Sequence, residues 1–274
     1  MASVPSPDAT AIAKSTQETV TQLHRWTDTL ITFKTTRPAN YQFTPGQYSR
    51  LGLTADDGMI WRPYSITSAP ADDTLEYYGV VVPKGAFTTR LDTMRAGDPI
   101  WIEKQLYGFM TIDRFADPEQ LNNAETDLWM LATGTGIGPY VSILRDPKVW
   151  QAHRRIVLVH GVKFANEFAY HDELLALRNH PPTDTAAPAT LHLIQCTTRA
   201  NDPPPDQLHG RITTLLESGA LEEKAGFGIN VEVSRIMLCG NPDMIEDTRR
   251  ILHQRGMRPC RRALPGQFVT ENYW

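Results

Sequence analysis

The apolar residues of this chain change rhythm near its middle, and the two rhythms ask for two architectures. Between Trp26 and Phe115, short runs rich in aromatic and β-branched residues are cut by turn signals. These runs are Trp26–Thr35, Gln47–Leu53 after a Pro-Gly pair, Ile60–Ile66 after Asp57-Gly58, Leu75–Val82, and a last run opening at Pro99 after Ala96-Gly97-Asp98. Strands of this length and spacing predict a small antiparallel β-barrel, interrupted by one short helix over Phe87–Met94. From Leu128 onward, the apolar runs LWMLAT (128–133), RIVLVHG (155–161), LHLIQC (191–196) and RIMLCG (235–240) alternate with helical patterns. Those patterns lie near Pro139–Leu144, Glu167–Leu177, Arg211–Glu217 and Pro242–Gln254. Such alternation predicts an α/β domain with a parallel sheet and right-handed crossovers. A polar stretch, Phe115 to Asp127, separates the halves. The expected division is an N-terminal extension over 1–25, the barrel over 26–117 and the α/β domain over 118–274.

A chain of 274 residues, 41% hydrophobic and 21% charged, can bury the cores that two such domains need. Its net charge of −4 gives no reason to expect nucleic-acid binding across the surface. The charge is uneven, however: Arg249 to Arg262 holds six arginines and no acid, a patch able to steer an acidic partner. Cys196, Cys239 and Cys260 are too few and too widely spaced for a disulfide framework or a metal ligand set. No run approaches about 18 apolar residues, so no membrane span is expected. The start, MASVPSPDATAIAK, does not read as a secretory signal. A cytoplasmic protein is the expectation, and no helical stripe demands a dimer, so a monomer is expected.

The strand ending at Thr133 runs directly into GTGIGP, residues 134–139. Gly134, Gly136 and Gly138 remove three side chains where strand becomes helix, and Pro139 suits an early helical position. Two readings fit: a turn whose free amides receive a dinucleotide pyrophosphate, or a tight structural turn. Thr135 and Ile137 complete the loop. Lys163 follows the second strand of this half, Arg199 the third, and Arg211 opens a helix after His209-Gly210. Cations where an acid would hold a ribose diol favour a ribose phosphate, hence NADP(H) over NAD(H); solvated surface cations are the other reading. Cys239 and Gly240 end the fourth strand, either leaving room for a flat ring or simply filling the interior before a turn.

In the first half, RPYSITS (62–68) is polar on both faces, and Pro63 removes a backbone donor. Arg62 can clamp a phosphate, Tyr64 can lie on a flat heterocycle, and Ser65 can hydrogen-bond a ring nitrogen. PKGAFTT (83–89) ends a strand and begins a helix; Lys84 and Gly85 open the turn, and the amides of Ala86, Phe87 and Thr88 face any anion there. The chain ends in ENYW, two aromatics that a docked terminus would stack on rings.

Together RPYS (62–65), GAFTT (85–89), GTGIGPY (134–140), CGNPDM (239–244) and the terminal ENYW resemble the bacterial ferredoxin–NADP reductases of the plant-type flavoprotein family, over Trp26 to Trp274. The resemblance implies an FAD- and NADP(H)-dependent enzyme without a metal. It would exchange a hydride with NADP(H) and single electrons with ferredoxin or flavodoxin, which would dock through the basic 249–262 region. Arg62 would lie at the FAD pyrophosphate, Tyr64 against the isoalloxazine and Ser65 near its reactive nitrogen, with Gly85 to Thr88 at the phosphates. Thr133 would stand between the cofactors, Gly134 to Gly138 would take the NADP pyrophosphate, and Arg199 and Arg211, with Lys163 in place of a relative's arginine, would hold the 2′-phosphate. Tyr273 would cover the flavin and Trp274 would stack near the adenine. Glu271 is a candidate proton or polarity contributor, or a surface carboxylate near the tail. Two other readings share the folds: an NAD(P)H reductase serving an oxygenase, and a free-flavin reductase.

Overall fold

A computed structural model of the chain describes residues 7–56, 58–115, 125–200, 204–261 and 264–272. The chain divides into two units, Met1–Gly108 and Phe109–Trp274, so the break falls before the expected 117/118 boundary.

In the first unit a short helix, α1 (Pro7–Ala13), precedes β1 (Ser15–Arg25), β2 (Leu30–Thr36), β3 (Tyr48–Ala55), β4 (Gly58–Ser65), β5 (Thr74–Val80) and β6 (Pro99–Glu103). Helix α2 (Ala86–Thr93) lies between β5 and β6. The strands form one antiparallel sheet in the order β4-β3-β6-β1-β2-β5. Just past β4, Ile66 bridges Tyr77 of β5, and the Thr67 amide donates to the Glu76 carbonyl at 2.8 Å. The two edge strands therefore meet, and the sheet closes on itself as a barrel. Phe33, Leu51, Ile66, Leu75, Tyr77, Ile100 and Ile102 fill its interior, and α2 adds Phe87 and Leu91, four residues apart on one face.

The expected N-terminal extension is corrected from Ser15 onward. Strand β1 is an inner strand, paired with β6 through Ser15–Thr19 and with β2 from Val20 to Arg25. Its sequence, STQETVTQLHR, buries only Ser15 and Val20 fully, so its place comes from two backbone ladders rather than from an apolar face.

The second unit holds β7 (Asp127–Thr133), α3 (Gly138–Arg145), α4 (Pro147–Ala152), β8 (Arg155–Val162), α5 (His171–Asn179), β9 (Thr190–Thr197) and β10 (Leu208–His209). Then come α6 (Ile212–Glu217), α7 (Ala220–Ala225), β11 (Ser234–Gly240), α8 (Pro242–Gln254) and β12 (Phe268–Asn272). All six strands are parallel, in the order β10-β9-β8-β7-β11-β12. The four expected strands are β7, β8, β9 and β11, while β10 and β12 extend the sheet at its two edges. Helix α5 starts at His171, not Glu167, because Ala165–Glu167 forms a 3₁₀ turn and Tyr170 sits at φ 62°. Helix α8 begins where expected: the Asn241 side chain accepts from the amides of Asp243 (2.8 Å) and Met244 (3.3 Å). It buries Met244, Ile245, Thr248, Ile251 and Leu252, the i, i+4, i+7 stripe of a helix lying on a sheet.

The start of β7 carries a buried ion cluster. Asp127 accepts from Arg154 (2.9 and 3.1 Å) and from Arg155 (2.7 and 2.6 Å), and the Arg155 guanidinium lies 3.6 Å from the centre of the Phe227 ring. Burial alone would raise the Asp127 carboxyl, but the hydrogen bonds from Arg155 and Arg154 outweigh it and hold the group below its ordinary 3.8. A depressed carboxyl stabilises the fold above its unfolded pKa, and that contribution is lost as pH falls through the folded value. Asp127→Asn should cost about 2 kcal/mol at neutral pH, a fall of about 4–8 °C in Tm. The gap from wild type should narrow as pH drops below about 4. Thermal melts across pH 3–7 check this; a gap that stays constant to the acid end would contradict it.

Candidate functional site

Each unit presents one glycine-opened turn at a helix start. In the first unit, Val80 ends β5 and the chain turns through Lys84, whose φ is 62°, into α2. The Thr88 hydroxyl accepts from the Val82 amide and donates to the Val82 carbonyl, both at 3.1 Å, and so locks the loop. A side chain at Gly85 would place Cβ 2.6 Å from that hydroxyl and 3.0 Å from the Val82 carbonyl. Gly85 is the N-cap and offers no capping side chain, so the first-turn amides of Ala86, Phe87 and Thr88 have no intrahelical acceptor. Phe87 anchors this turn with its ring in the core. The cradle fits a diphosphate, as FAD carries.

On β4 of the same unit, Arg62 and Pro63 are exposed, whereas Tyr64 and Ser65 retain 8% and 1% exposure. Arg62 donates to the Trp61 carbonyl at 2.8 Å and has room to reach an anion. Tyr64 sits over Gly79, where a Cβ would come within 2.7 Å of its ring, and packs beside Phe87 (5.5 Å) and Phe33 (5.8 Å). Burial pushes its phenol well above the ordinary tyrosine value, so it stays neutral. Pro63 faces Arg50 across the one ladder that β4 makes over this stretch, where a missing donor is tolerated.

In the second unit, β7 passes into a 3₁₀ turn, Gly134–Ile137, and then α3, whose early Pro139 needs no donor. The turn lies at the carboxyl end of the sheet, where the strand order reverses between β7 and β11. Its glycines have different reasons. Gly134 has φ +54°, and a Cβ there would meet nothing within 4 Å. Gly136 lies against β11, where a Cβ would fall 2.5 Å from the Cys239 carbonyl. Gly240 is its counterpart on β11: a Cβ there would lie 2.3 Å from the Thr133 hydroxyl. That hydroxyl accepts from the Asn241 amide at 2.8 Å, tying the end of β7 to the start of α8. Thr133 is the turn's N-cap and spends no hydrogen bond on it, so the turn's first amides, Thr135 among them, have no capping acceptor.

Lys163, Arg199 and Arg211 come together at the same sheet edge. Val162, Thr197 and His209 align on β8, β9 and β10. Lys163 follows this row by one residue, and Arg199 and Arg211 follow it by two. The Arg199 amide donates to the Lys163 carbonyl (2.9 Å), and the Gly210 amide to the Thr197 carbonyl (2.9 Å). All three cations are exposed, and none forms an ion pair among the described residues.

Across the switch point, Ala132, Cys239 and Glu271 share one register on β7, β11 and β12. Cys239 is fully buried; burial, and secondarily Glu271, push its thiol well above the usual range, so it is a neutral filler and not a thiolate. Glu271 is half-buried on the edge strand β12, and burial raises its carboxyl to about 7. Tyr273 and Trp274 lie outside the described residues. One residue that sequence reading passed over is His160 of β8, buried, with Nε2 3.0 Å from the Gly134 carbonyl. Its only signal in the sequence is a polar residue inside the apolar run RIVLVHG.

The two turn glycines should respond differently to alanine. Gly136→Ala forces backbone against backbone and should cost about 3 kcal/mol. Gly134→Ala pays only for its positive φ, about 1 kcal/mol. Thermal unfolding of both variants checks the order; equal losses would remove the close approach as the reason for Gly136.

A family model of an FAD-binding domain matches residues 15–111, and a model of an oxidoreductase NAD-binding domain matches residues 130–250. The flavodoxin/ferredoxin–NADP reductase of Shigella flexneri is 36% identical over 266 residues, covering 93% of this chain and 97% of its own. Ferredoxin–NADP reductase A of Sorangium cellulosum is 34% identical over 272 residues, covering 93% and 89%. The crystal structure of a ferredoxin NADP+ reductase from Neisseria gonorrhoeae with bound FAD and NADP superimposes with a TM-score of 0.85 at 37% identity, covering 94% of this chain and 98% of the other. With relatives matching at this identity along almost their whole length, and both domain models falling on the two units built above, the chain belongs to the ferredoxin/flavodoxin–NADP reductase family.

Proposed function

We propose that this chain is an FAD-dependent reductase that exchanges a hydride with NADP(H) and single electrons with ferredoxin or flavodoxin. The observation that carries the reading is the group of cations, Lys163, Arg199 and Arg211, exposed and without an ion pair among the described residues, on the strand ends next to that of the Gly134–Gly138 turn. Bound FAD supplies the conversion between two-electron and one-electron chemistry. The chain supplies position. In the barrel, Arg62 and the amides of Ala86 to Thr88 hold the FAD diphosphate, and Tyr64 and Ser65 frame the site of the flavin ring. In the α/β unit, Gly134 to Gly138 receive the NADP pyrophosphate, and Arg199 and Arg211 clamp the 2′-phosphate with Lys163 as a point charge. Cys239 leaves room at the end of β11 without reacting. Glu271, whose carboxyl burial raises to about 7, stands beside it as the candidate proton contributor. No helix among the described residues is long and apolar enough to cross a membrane. A cytoplasmic, monomeric enzyme goes with this reading. Stopped-flow mixing of the purified yellow protein with NADPH, then with ferredoxin or flavodoxin, tests it. A colourless protein that takes up no FAD would end it.

Replacing Arg199 and Arg211 with alanine should raise KM for NADPH about tenfold or more per residue, since each charge-assisted contact is worth about 1.5–3 kcal/mol. KM for NADH should change little. Equal losses for both nucleotides would remove the phosphate assignment.

The basic stretch from Arg249 to Arg262 is less basic in the fold than in the sequence. Arg249 pairs with Glu246 at 2.9 Å, Arg250 with Asp247, and Arg255 with Glu222 at 3.0 Å. Arg258 and Arg261 are exposed and unpaired among the described residues, and Arg262 lies outside them. The docking role therefore falls on Arg258 and Arg261. Neutralising both should slow reduction of an acidic carrier about tenfold at low salt, with the difference closing as salt is raised. Reduction of a small dye by NADPH should stay within about twofold of wild type. A loss independent of salt, or one shared by the dye, would exclude docking.

A further inference from the structure

His160 is a histidine that the site reading above does not use. It stands on β8, an inner strand, with Ala132 of β7 on one side and Gln195 of β9 on the other. It is 1% exposed, and its ring lies edge-on to Phe168 at 5.4 Å. Nε2 is 3.0 Å from the Gly134 carbonyl, which can only accept, so Nε2 carries the proton. Nδ1 is buried without a hydrogen-bond partner among the described residues. Burial pulls the ring down to about 4, so at neutral pH it is the uncharged Nε2–H tautomer.

A trans peptide is planar, and its carbonyl and amide point in opposite directions. The Gly134 carbonyl and the Thr135 amide belong to one such plane. Fixing the carbonyl toward β8 therefore fixes the Thr135 N–H away from the His160 ring. This matters because the plane is otherwise weakly held: Gly134 is a glycine at φ +54° with open space where a side chain would be, and the turn has no side-chain cap. We propose that His160 is a positioning residue, whose Nε2–H holds the Gly134–Thr135 peptide so that the Thr135 amide donates to the pyrophosphate of the dinucleotide. The proposal rests on the reading of Gly134–Gly138 as the pyrophosphate turn. A neutral donor suits the role, because a charged imidazolium would itself compete for the anion and would be costly to bury.

Equilibrium binding of NADP+ and of adenosine 2′-phosphate, which has no pyrophosphate, separates this from a packing role. His160→Leu should weaken NADP+ about tenfold, the loss of one oriented hydrogen bond to a charged group, and leave adenosine 2′-phosphate within about twofold. His160→Gln, which can present an amide donor near the place of Nε2, should recover most of the NADP+ affinity. A His160→Leu protein that binds NADP+ like wild type, or that loses both ligands equally, would overturn the proposal, as would a glutamine variant no better than leucine. Gly134→Ala tests the turn itself: weakened NADP+ with unchanged adenosine 2′-phosphate supports the turn as the pyrophosphate site, and unchanged binding of both sinks that underlying reading instead. Should the leucine variant fail to fold, 15N spectra of histidine-labelled wild-type protein remain decisive. At pH 7 His160 should show a protonated Nε2 and a bare Nδ1; the opposite tautomer, or an imidazolium, would refute the assignment.

Discussion

The close approach of two bare backbones at the carboxyl ends of β7 and β11 is the constraint on which the α/β unit depends. Gly136 lies against the Cys239 carbonyl, and Gly240 lies against Thr133. Neither approach tolerates a β-carbon. The strand order reverses at this pair, so the crossovers on either side leave toward opposite ends of the sheet and a crevice opens there. The Thr133 hydroxyl then takes the Asn241 amide, which brings the start of α8 beside the start of α3. Two helix starts converge on one point, and every other element of the site is arranged around it. The cations follow the ends of β8, β9 and β10 to one side, and Cys239 and Glu271 stand on β11 and β12 to the other.

The barrel has its own seam, and it answers why RPYSITS is polar on both faces. The closure between Ile66 and Tyr77 occurs just after β4, so Arg62 and Pro63 lie before the seam and the following hydroxyls lie within it. Ser68 donates to the Thr74 carbonyl (3.1 Å) and accepts from the Glu76 amide (2.5 Å), satisfying backbone groups that the seam would bury. The motif thus divides its labour. Arg62 is exposed and donates to the Trp61 carbonyl, Tyr64 belongs to the core, and the hydroxyl farthest along the stretch joins the ends of the sheet. A sequence that needed only a barrel would place apolar residues at a seam; one that needed only a ligand contact would have no use for Ser68.

Much of this was legible in the sequence, for identifiable reasons. The strands β7, β8, β9 and β11 are mostly apolar runs alternating with helical patterns, as a parallel sheet covered on both faces requires. Helix α8 carries its proline, its asparagine cap and its apolar stripe in plain view. Strand β1 did not show because STQETVTQLHR has almost no apolar periodicity, and its first half pairs with β6, far along the chain. Strand β10 is two residues long, too short for any pattern. At the site, the glycines and cations were readable, since each is chemically unusual for its position. His160 was not, because its role lies in one hydrogen bond to a carbonyl that is near it only in the fold. The basic tail misled in the opposite sense: Glu246 and Asp247 sit just before the arginine-rich window, and Glu222 sits on another helix.

Pairing is what separates the cations that hold this fold from those it offers outward. Arg145 is bound by both oxygens of Glu173, at 2.6 and 2.8 Å, and Arg154 and Arg155 share Asp127. Each such guanidinium is already held by a carboxylate, and a phosphate could take it only by displacing that carboxylate and stranding its charge. Lys163, Arg199 and Arg211 have no carboxylate partner among the described residues. They are exposed where β8, β9 and β10 end side by side. The same distinction sets how far each charge reaches into solvent. A paired arginine projects little field beyond a few ångströms, whereas an unpaired exposed one acts over a Debye length of about 8–10 Å. A molecule of net charge −4 can therefore still present a local positive field wherever cations without a carboxylate partner are gathered.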